Sequence, residues 1–186
     1  MRIISGTLRG SKLYTLEGLN TRPTLDRVKE ALFSKINFKL EDAVVLDLFS
    51  GSGALALESI SRGAETAYLC DNSRDAIKII NQNIEKTRTQ ESTVVLNLDY
   101  KKAIEKFVKD RVKFDIVFLD PPYKTDYAEE AAKLIIENNL LLNNGLIILE
   151  TDNEKKIISN LDSKLLMINE IKKYGRVYLL FLSRRV

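Results

Sequence analysis

The sequence predicts an α/β fold: a doubly wound, mostly parallel sheet that ends in an antiparallel hairpin, with an N-terminal β-hairpin and helix as an extension. Three observations predict it. Val44-Val45-Leu46-Asp47 is a short apolar, β-branched run, followed by the glycine-spaced turn Ser50-Gly51-Ser52-Gly53 and a helical pattern from Ala54. Strand, tight turn and helix in that order form the opening unit of a parallel sheet. The same alternation then repeats through residue 150, which implies right-handed crossovers and helices on both faces. Last, the runs 164–173 and 177–184 are joined by Tyr174-Gly175-Arg176, a hairpin signal instead of another crossover.

Taken in order, residues 2–5 and 12–16 are β-type runs around Gly6-Thr7-Leu8-Arg9-Gly10-Ser11, a hairpin with a basic tip. Gly18 to Pro23 is loop. Thr24 is placed to cap a helix in which Leu25, Val28, Leu32 and Ile36 recur at helical spacing, ending near Asn37. The core alternation predicts helix 53–62, strand 66–70, helix 73–86, strand 93–97, helix 100–109, strand 114–119, helix 127–138, strand 145–150 and a short helix at 152–159. Two units follow: an extension over 1–40 packed on the body, and a catalytic domain over 41–186.

Composition narrows the chemistry. A chain of 186 residues, 45% hydrophobic and 30% charged, is the size of one domain with a single substantial core. No apolar run approaches the roughly 20 residues of a membrane span, and the N-terminus lacks a signal-peptide apolar region, so a cytoplasmic location is expected. There is no histidine, which removes Ser-His and Cys-His nucleophiles, imidazole bases and histidine zinc sites; no metal is expected. The single cysteine, Cys70, excludes an internal disulfide and reads as a buried strand residue. Net charge is only +3, yet residues 1–40 hold eight Lys/Arg against three Asp/Glu. A basic arm beside a near-neutral body suggests a polyanionic partner.

In a doubly wound sheet the ligand lies outside the carboxyl ends of the strands, where strand order reverses. Asp47, Asp71, Asp99 and Asp120 each fall at or just past such an end. Gly51 and Gly53, with Ser52 between them, open the floor for a ligand at a helix N-terminus. Asp71, with Asn72 beside it, stands about twenty residues beyond the glycines, where an acid bonds a ribose hydroxyl. Asp99 can accept from an adenine amino group, Tyr100 can cover the ring, and Phe49 fits either the core or the ligand wall.

The strand Phe114–Leu119 runs into Asp120-Pro121-Pro122-Tyr123. Two prolines fix φ and remove backbone donors, and Pro121 holds Asp120 extended. The turn is therefore a rigid set of acceptors with an aromatic ring just beyond. That suits an exocyclic nucleobase amine, whose delocalised lone pair makes it a poor nucleophile. The Asp120 carboxylate and Pro121 carbonyl would accept its N–H bonds and Tyr123 would stack on the base, which must be flipped out if paired.

These features resemble an S-adenosylmethionine (SAM) dependent amino-group methyltransferase of the Rossmann-like, class I, seven-stranded type. The whole chain further resembles the RsmD family, which methylates N2 of a guanine in bacterial small-subunit (16S) rRNA. The match runs through Arg2-Ile3-Ile4-Ser5-Gly6, Arg9-Gly10-Ser11-Lys12-Leu13, the specific block Arg22-Pro23-Thr24-Leu25-Asp26-Arg27-Val28, Asp47–Leu55, Ser61-Arg62-Gly63-Ala64 and Asp120–Tyr123. The resemblance implies SAM as cofactor, Arg22, Pro23 and Thr24 bordering its pocket, and Arg2, Arg9, Lys12 and Arg27 toward RNA. It implies 16S rRNA as partner, within the small subunit or a late assembly particle, and a monomer. Asp71 stands where relatives often carry Glu, and little tail follows the last strand, where longer relatives could touch RNA. Other readings stay open. One is N6-adenine or N4-cytosine methylation of DNA or another RNA. A second is a dinucleotide-dependent oxidoreductase, which leaves the Pro-Pro turn and final hairpin without a role. A third is a non-enzymatic RNA-binding factor.

Overall fold

The computed structural model describes residues 1–16, 23–122 and 125–185, with residues 23–25 by backbone alone. Arg22 and Tyr123 lie outside the described residues. The chain runs α1 (Pro23–Ile36), β1 (Val44–Asp47), α2 (Ala54–Ser61), β2 (Thr66–Cys70), α3 (Arg74–Thr87), β3 (Thr93–Leu96) and α4 (Tyr100–Asp110). It continues through β4 (Phe114–Leu119), α5 (Tyr127–Glu137), β5 (Leu141–Thr151), α6 (Glu154–Asn160), β6 (Leu166–Tyr174) and β7 (Val177–Arg184). The seven strands form one sheet in the order β3-β2-β1-β4-β5-β7-β6. The first five are mutually parallel, and β7 inserts antiparallel between β5 and β6. The strand order reverses between β1 and β4.

Alternation along the buried strands builds a core on each face. Val45, Ile116, Phe118 and Ile148 pack with α1, α2, Ile80 and Ile84 of α3. Leu46, Val117, Leu119 and Leu149 pack with α4, α5 and Ile157 of α6. Helix starts are capped by Ser73, Asp99 and Asn153, whose side chains accept backbone N–H bonds of the first turn. Among the described residues no helix is long and apolar enough to cross a membrane.

Three local expectations change. The N-terminal hairpin is present but shorter than two full strands: one antiparallel bridge, Arg2 to Lys12, flanked by the Ile3 N–H to Ser11 carbonyl (3.0 Å) and Leu13 N–H to Met1 carbonyl (2.9 Å) bonds, while the turned segment bonds to a helix. Helix α1 begins at Pro23, so Thr24 is its second residue and not its cap; proline's fixed φ and missing N–H suit a first helical position. Strand β5 starts at Leu141, earlier than the predicted 145, because Leu141 pairs with Phe114 across a register shift.

The arm is tied down by side chains of the body. Glu58 of α2, fully buried, accepts N–H bonds from Ile4 (2.8 Å) and Ser5 (3.1 Å). It also pairs with Lys29 of α1 (3.2 Å) and Arg62 (2.9 Å). Ser61 receives the Thr7 N–H on its carbonyl (2.8 Å) and the Leu8 N–H on its hydroxyl (2.9 Å). Gly6, at φ +84°, passes so close that a Cβ would lie 1.7 Å from the Ser61 carbonyl oxygen. Ile3 and Leu13 enter the same core as α1 and α2. Glu58→Ala leaves the buried Lys29 ammonium without its counter-charge, a loss of about 3–5 kcal/mol. Thermal unfolding would read this as a clear fall in Tm; an unchanged Tm would show that the cluster contributes nothing to the fold.

Candidate active site

The carboxyl ends of β1, β4 and β5 bring three acids together at the reversal point. Asp47 is in register with Phe118, and the Leu48 N–H donates to the Phe118 carbonyl (3.2 Å). Asp120 therefore leaves β4 just beyond Asp47, and the Leu119–Leu149 pairing sets Glu150 level with it. Asp47 is 1% exposed, and its Oδ1 has no hydrogen-bond partner among the described residues. Burial pushes its carboxyl up to about 7, the Ala56 N–H at the start of α2 opposes the rise, and Asp71 adds to it. Asp120 is pushed well above the usual carboxylate range, first by burial and then by the Glu150 and Asp47 charges. Crowded acids that repel one another, one fully buried with an orphaned oxygen and two half-buried, favour a cationic ligand. Among the described residues no group of His, Cys, Asp and Glu is arranged to hold a metal ion.

The turn after β1 is shaped by its glycines. Gly53 lies at φ +77°, and a Cβ there would stand 2.8 Å from Leu69 Cδ2, so this glycine allows α2 to pack onto β2. Gly51, at φ +54°, has open space where a Cβ would be, and this is the room a ligand can use. The Ser50 hydroxyl donates to the Asp47 carbonyl (2.6 Å), and the Gly53 N–H to the Ser50 carbonyl (2.7 Å). Asp71 accepts from the Gly51 N–H (2.9 Å) and the Ser73 N–H (2.8 Å). Each carboxylate oxygen keeps a further lone pair for a ligand hydroxyl.

Farther along the strand ends, Asp99 holds the cap of α4 with one oxygen, which accepts from Lys101 and Lys102. Tyr100 is only 8% exposed. Its ring packs between Phe49 (centroids 5.6 Å apart) and Tyr127 (5.1 Å), and its hydroxyl donates to Glu130. Tyr100 is thus held by packing, while Phe49 is half-buried and Asn72 exposed. Pro121 is buried and Pro122 exposed, the Pro122 carbonyl accepting from the Thr125 hydroxyl (2.9 Å). Cys70 is fully buried, and burial raises its thiol far beyond its ordinary range, consistent with a packing role.

The basic residues assigned to RNA are all at the surface. Arg2 pairs with Asp26 (3.4 Å) while staying largely exposed; Arg9, Lys12 and Arg27 are exposed or half-exposed, and Arg27 has no ion pair among the described residues. Reading the sequence missed Glu150, Glu58 and Asn83. Asn83 is wholly buried on α3; its Nδ2 donates to the Ser52 carbonyl (2.9 Å) and the Tyr14 carbonyl (3.0 Å), and its Oδ1 accepts from the Tyr14 N–H (2.7 Å). One signal was available for Glu58: it sits four residues after Ala54 on a stripe that is otherwise small or apolar.

Compared with known proteins, the chain matches the family model described as Conserved hypothetical protein 95 over residues 1–183. The chain belongs to this family. It is 37% identical over 163 residues to Ribosomal RNA small subunit methyltransferase D of Haemophilus influenzae, covering 86% of this chain and 82% of that protein. The protein of the same name from Escherichia coli (strain K12) is 35% identical over 154 residues, covering 83% and 76%. The solved structure of yhhF from Escherichia coli superposes with a TM-score of 0.82 at 33% identity, covering 100% of this chain and 98% of that one. Family membership thus extends over the arm as well as the sheet.

Proposed function

We propose that this chain transfers the methyl group of SAM to the exocyclic N2 of a guanine in small-subunit (16S) rRNA. The observation that carries the reading is the placement of Asp47 and Asp120 on adjacent strand ends beside the open Gly51 turn. SAM supplies an electrophilic methyl on a sulfonium and a second positive charge on its ammonium. The orphaned oxygen of Asp47 and the raised carboxyl groups around it fit the two positive groups of this ligand, whose net charge stays positive despite its one carboxylate. Asp71 takes the ribose hydroxyls, and Phe49, Asp99 and Tyr100 border the adenine, with Gly51, Ser52, Gly53, Asn72 and the Arg22-Pro23-Thr24 segment closing the pocket.

At the acceptor side the Asp120 carboxylate and the Pro121 carbonyl receive the two N–H bonds of the guanine amine, with Tyr123 and Pro122 against the base. The amine is held pyramidal, its lone pair aimed at the methyl carbon. The N–CH3 bond forms as the S–CH3 bond breaks, leaving S-adenosylhomocysteine. The methylated amine is strongly acidic, and its proton passes to Asp120 or to solvent. Aligned attack of this kind supplies about 7–11 kcal/mol of the barrier reduction. The rRNA methyltransferase names of the relatives support RNA as substrate, and an assembled small subunit in the cytoplasm is the favoured form.

The test is methyl transfer from labelled SAM to unmodified small ribosomal subunits, with naked 16S rRNA and DNA alongside, followed by nucleoside mass spectrometry. N2-methylguanosine is expected. N6-methyladenosine or N4-methylcytosine would replace the substrate and keep the chemistry; no transfer would overturn the assignment. Reversing charge at Arg9 and Lys12 together (R9E, K12E) should weaken RNA binding and flatten its salt dependence by about two phosphate contacts, with SAM affinity unchanged. Wild-type RNA affinity in that variant would remove the arm from the RNA contact.

A further inference from the structure

We propose that the pocket between Tyr14 and the C-terminal half of α3 is a second nucleobase site, which seats an unpaired base of the RNA apart from the base presented for methylation. The proposal rests on the RNA reading above. The pocket, about 400 Å³, is lined by Tyr14, Gln82, Glu85 and Lys86, and shares no residue with the candidate active site.

Tyr14 is 50% exposed while its neighbour Leu13 is 6% exposed. An aromatic ring left in water on a segment that is otherwise anchored is the unusual feature. Its backbone is pinned on both sides by the Asn83 amide, which mimics a strand partner with one N–H···O bond each way. Asn83 also holds the Ser52 carbonyl, so the platform is fixed relative to the glycine turn. A ring held in place this way binds a base without first losing freedom of its own backbone.

The rest of the lining has the chemistry of a base site. The Lys86 ammonium sits over the Tyr14 ring, 4.4 Å from its centroid, a cation–π contact; an incoming base takes that place on the ring, and the flexible Lys86 side chain moves its charge toward a phosphate. Gln82 lies three residues before Glu85 and four before Lys86, so the three share one helix face. Gln82 offers both a donor and an acceptor, and Glu85 accepts from base amino or imino groups. One aromatic ring with an amide, a carboxylate and an ammonium is the set used to stack and read unpaired bases. A protein partner would need an apolar centre, which three polar side chains out of four do not provide. Arg9 and Lys12 on the same arm and Arg88 just past Lys86 are exposed cations as well.

The chain contains no tryptophan, so Tyr14→Trp places a single, selectively excitable indole at the platform. Titrated with unmodified small ribosomal subunits and, in parallel, with naked 16S rRNA transcript, its emission should be quenched in step with binding. A Phe38→Trp control, at a residue 79% exposed on the turn after α1, should not respond. Tyr14→Ala should weaken RNA affinity about 5- to 150-fold, the range for one stacked base, with SAM affinity and Tm unchanged. Tyr14→Phe should restore it, since stacking needs the ring and not the hydroxyl. If wild-type protein methylates the RNA while Tyr14→Ala binds it equally well, or the emission of Tyr14→Trp stays flat, the pocket proposal fails alone. If wild-type protein neither binds nor methylates the small subunit or the naked transcript, both readings fall.

Discussion

Asp120→Ala removes methyl transfer almost completely, by about 10²–10³-fold or more in kcat, while SAM affinity stays within about tenfold of wild type. The two effects separate because Asp120 is assigned to the acceptor amine and not to the cofactor. Its carboxyl is raised first by burial and then by the charges of Glu150 and Asp47. Asp120→Asn keeps one carbonyl acceptor but replaces the second with a donor, so it should recover a small part of the rate. Single-turnover transfer with saturating SAM, beside equilibrium SAM binding, makes the comparison. Turnover near wild type in Asp120→Ala would refute the acceptor role, and a matching collapse of SAM binding would move Asp120 into the cofactor pocket.

How far such a site can be read from sequence depends on whether its signals are local. Strand β4 ends at Leu119, as expected from an apolar run stopped by Asp120-Pro121, and β7 spans Val177–Arg184 for the same kind of reason. An acid following a buried strand is visible in the letters, and the strand order then decides which acids become neighbours. The arm resembles a hairpin in the letters because Ile3, Ile4 and Leu13 look β-like locally. The local pairing is there, Ile3 to Ser11 and Leu13 to Met1, but the turned segment between them bonds to Glu58 and Ser61, more than fifty residues away. Strand β5 looks shorter in sequence than it is because Asn143-Asn144-Gly145 has turn chemistry, and only pairing of Leu141 with Phe114 keeps those residues in the ladder. Asn83 reads as one more polar residue on a surface helix; that it is buried depends on Tyr14 and Ser52 arriving from elsewhere in the chain. Non-local polar contacts are what periodicity cannot show, and here they fasten the arm to the cofactor side of the sheet.

Asp47→Asn should do two opposite things: raise the stability of the ligand-free protein at pH 8 and weaken SAM binding at the same pH. A carboxyl lifted from 3.8 to about 7 means that its charged form costs about 4 kcal/mol in the fold, at about 1.4 kcal/mol per unit. Below about pH 4 the acid is protonated in folded and unfolded chains alike, and there is no penalty. As pH rises from there through 7, the unfolded chain gives up the proton first, so the stability present at low pH is lost progressively, and above pH 7 the whole penalty is in force. Asparagine never ionises. The Tm difference between variant and wild type should therefore be close to zero at pH 4 and grow toward pH 8. At a few degrees per kcal/mol for a chain of this size, it should reach on the order of 10 °C at most. A bound cation offsets the same penalty, so wild-type SAM affinity should strengthen as pH rises through 7, whereas that of Asp47→Asn should be weaker and nearly flat. Thermal shift and calorimetry across this range read both curves. A variant that gains no stability at pH 8 would mean that Asp47 is already neutralised within the fold. One that binds SAM as tightly as wild type at pH 8 would mean that the cofactor's positive charge is met elsewhere. The stability given up by keeping an ionisable acid buried at the end of β1 is, on this account, what the cofactor recovers when it binds.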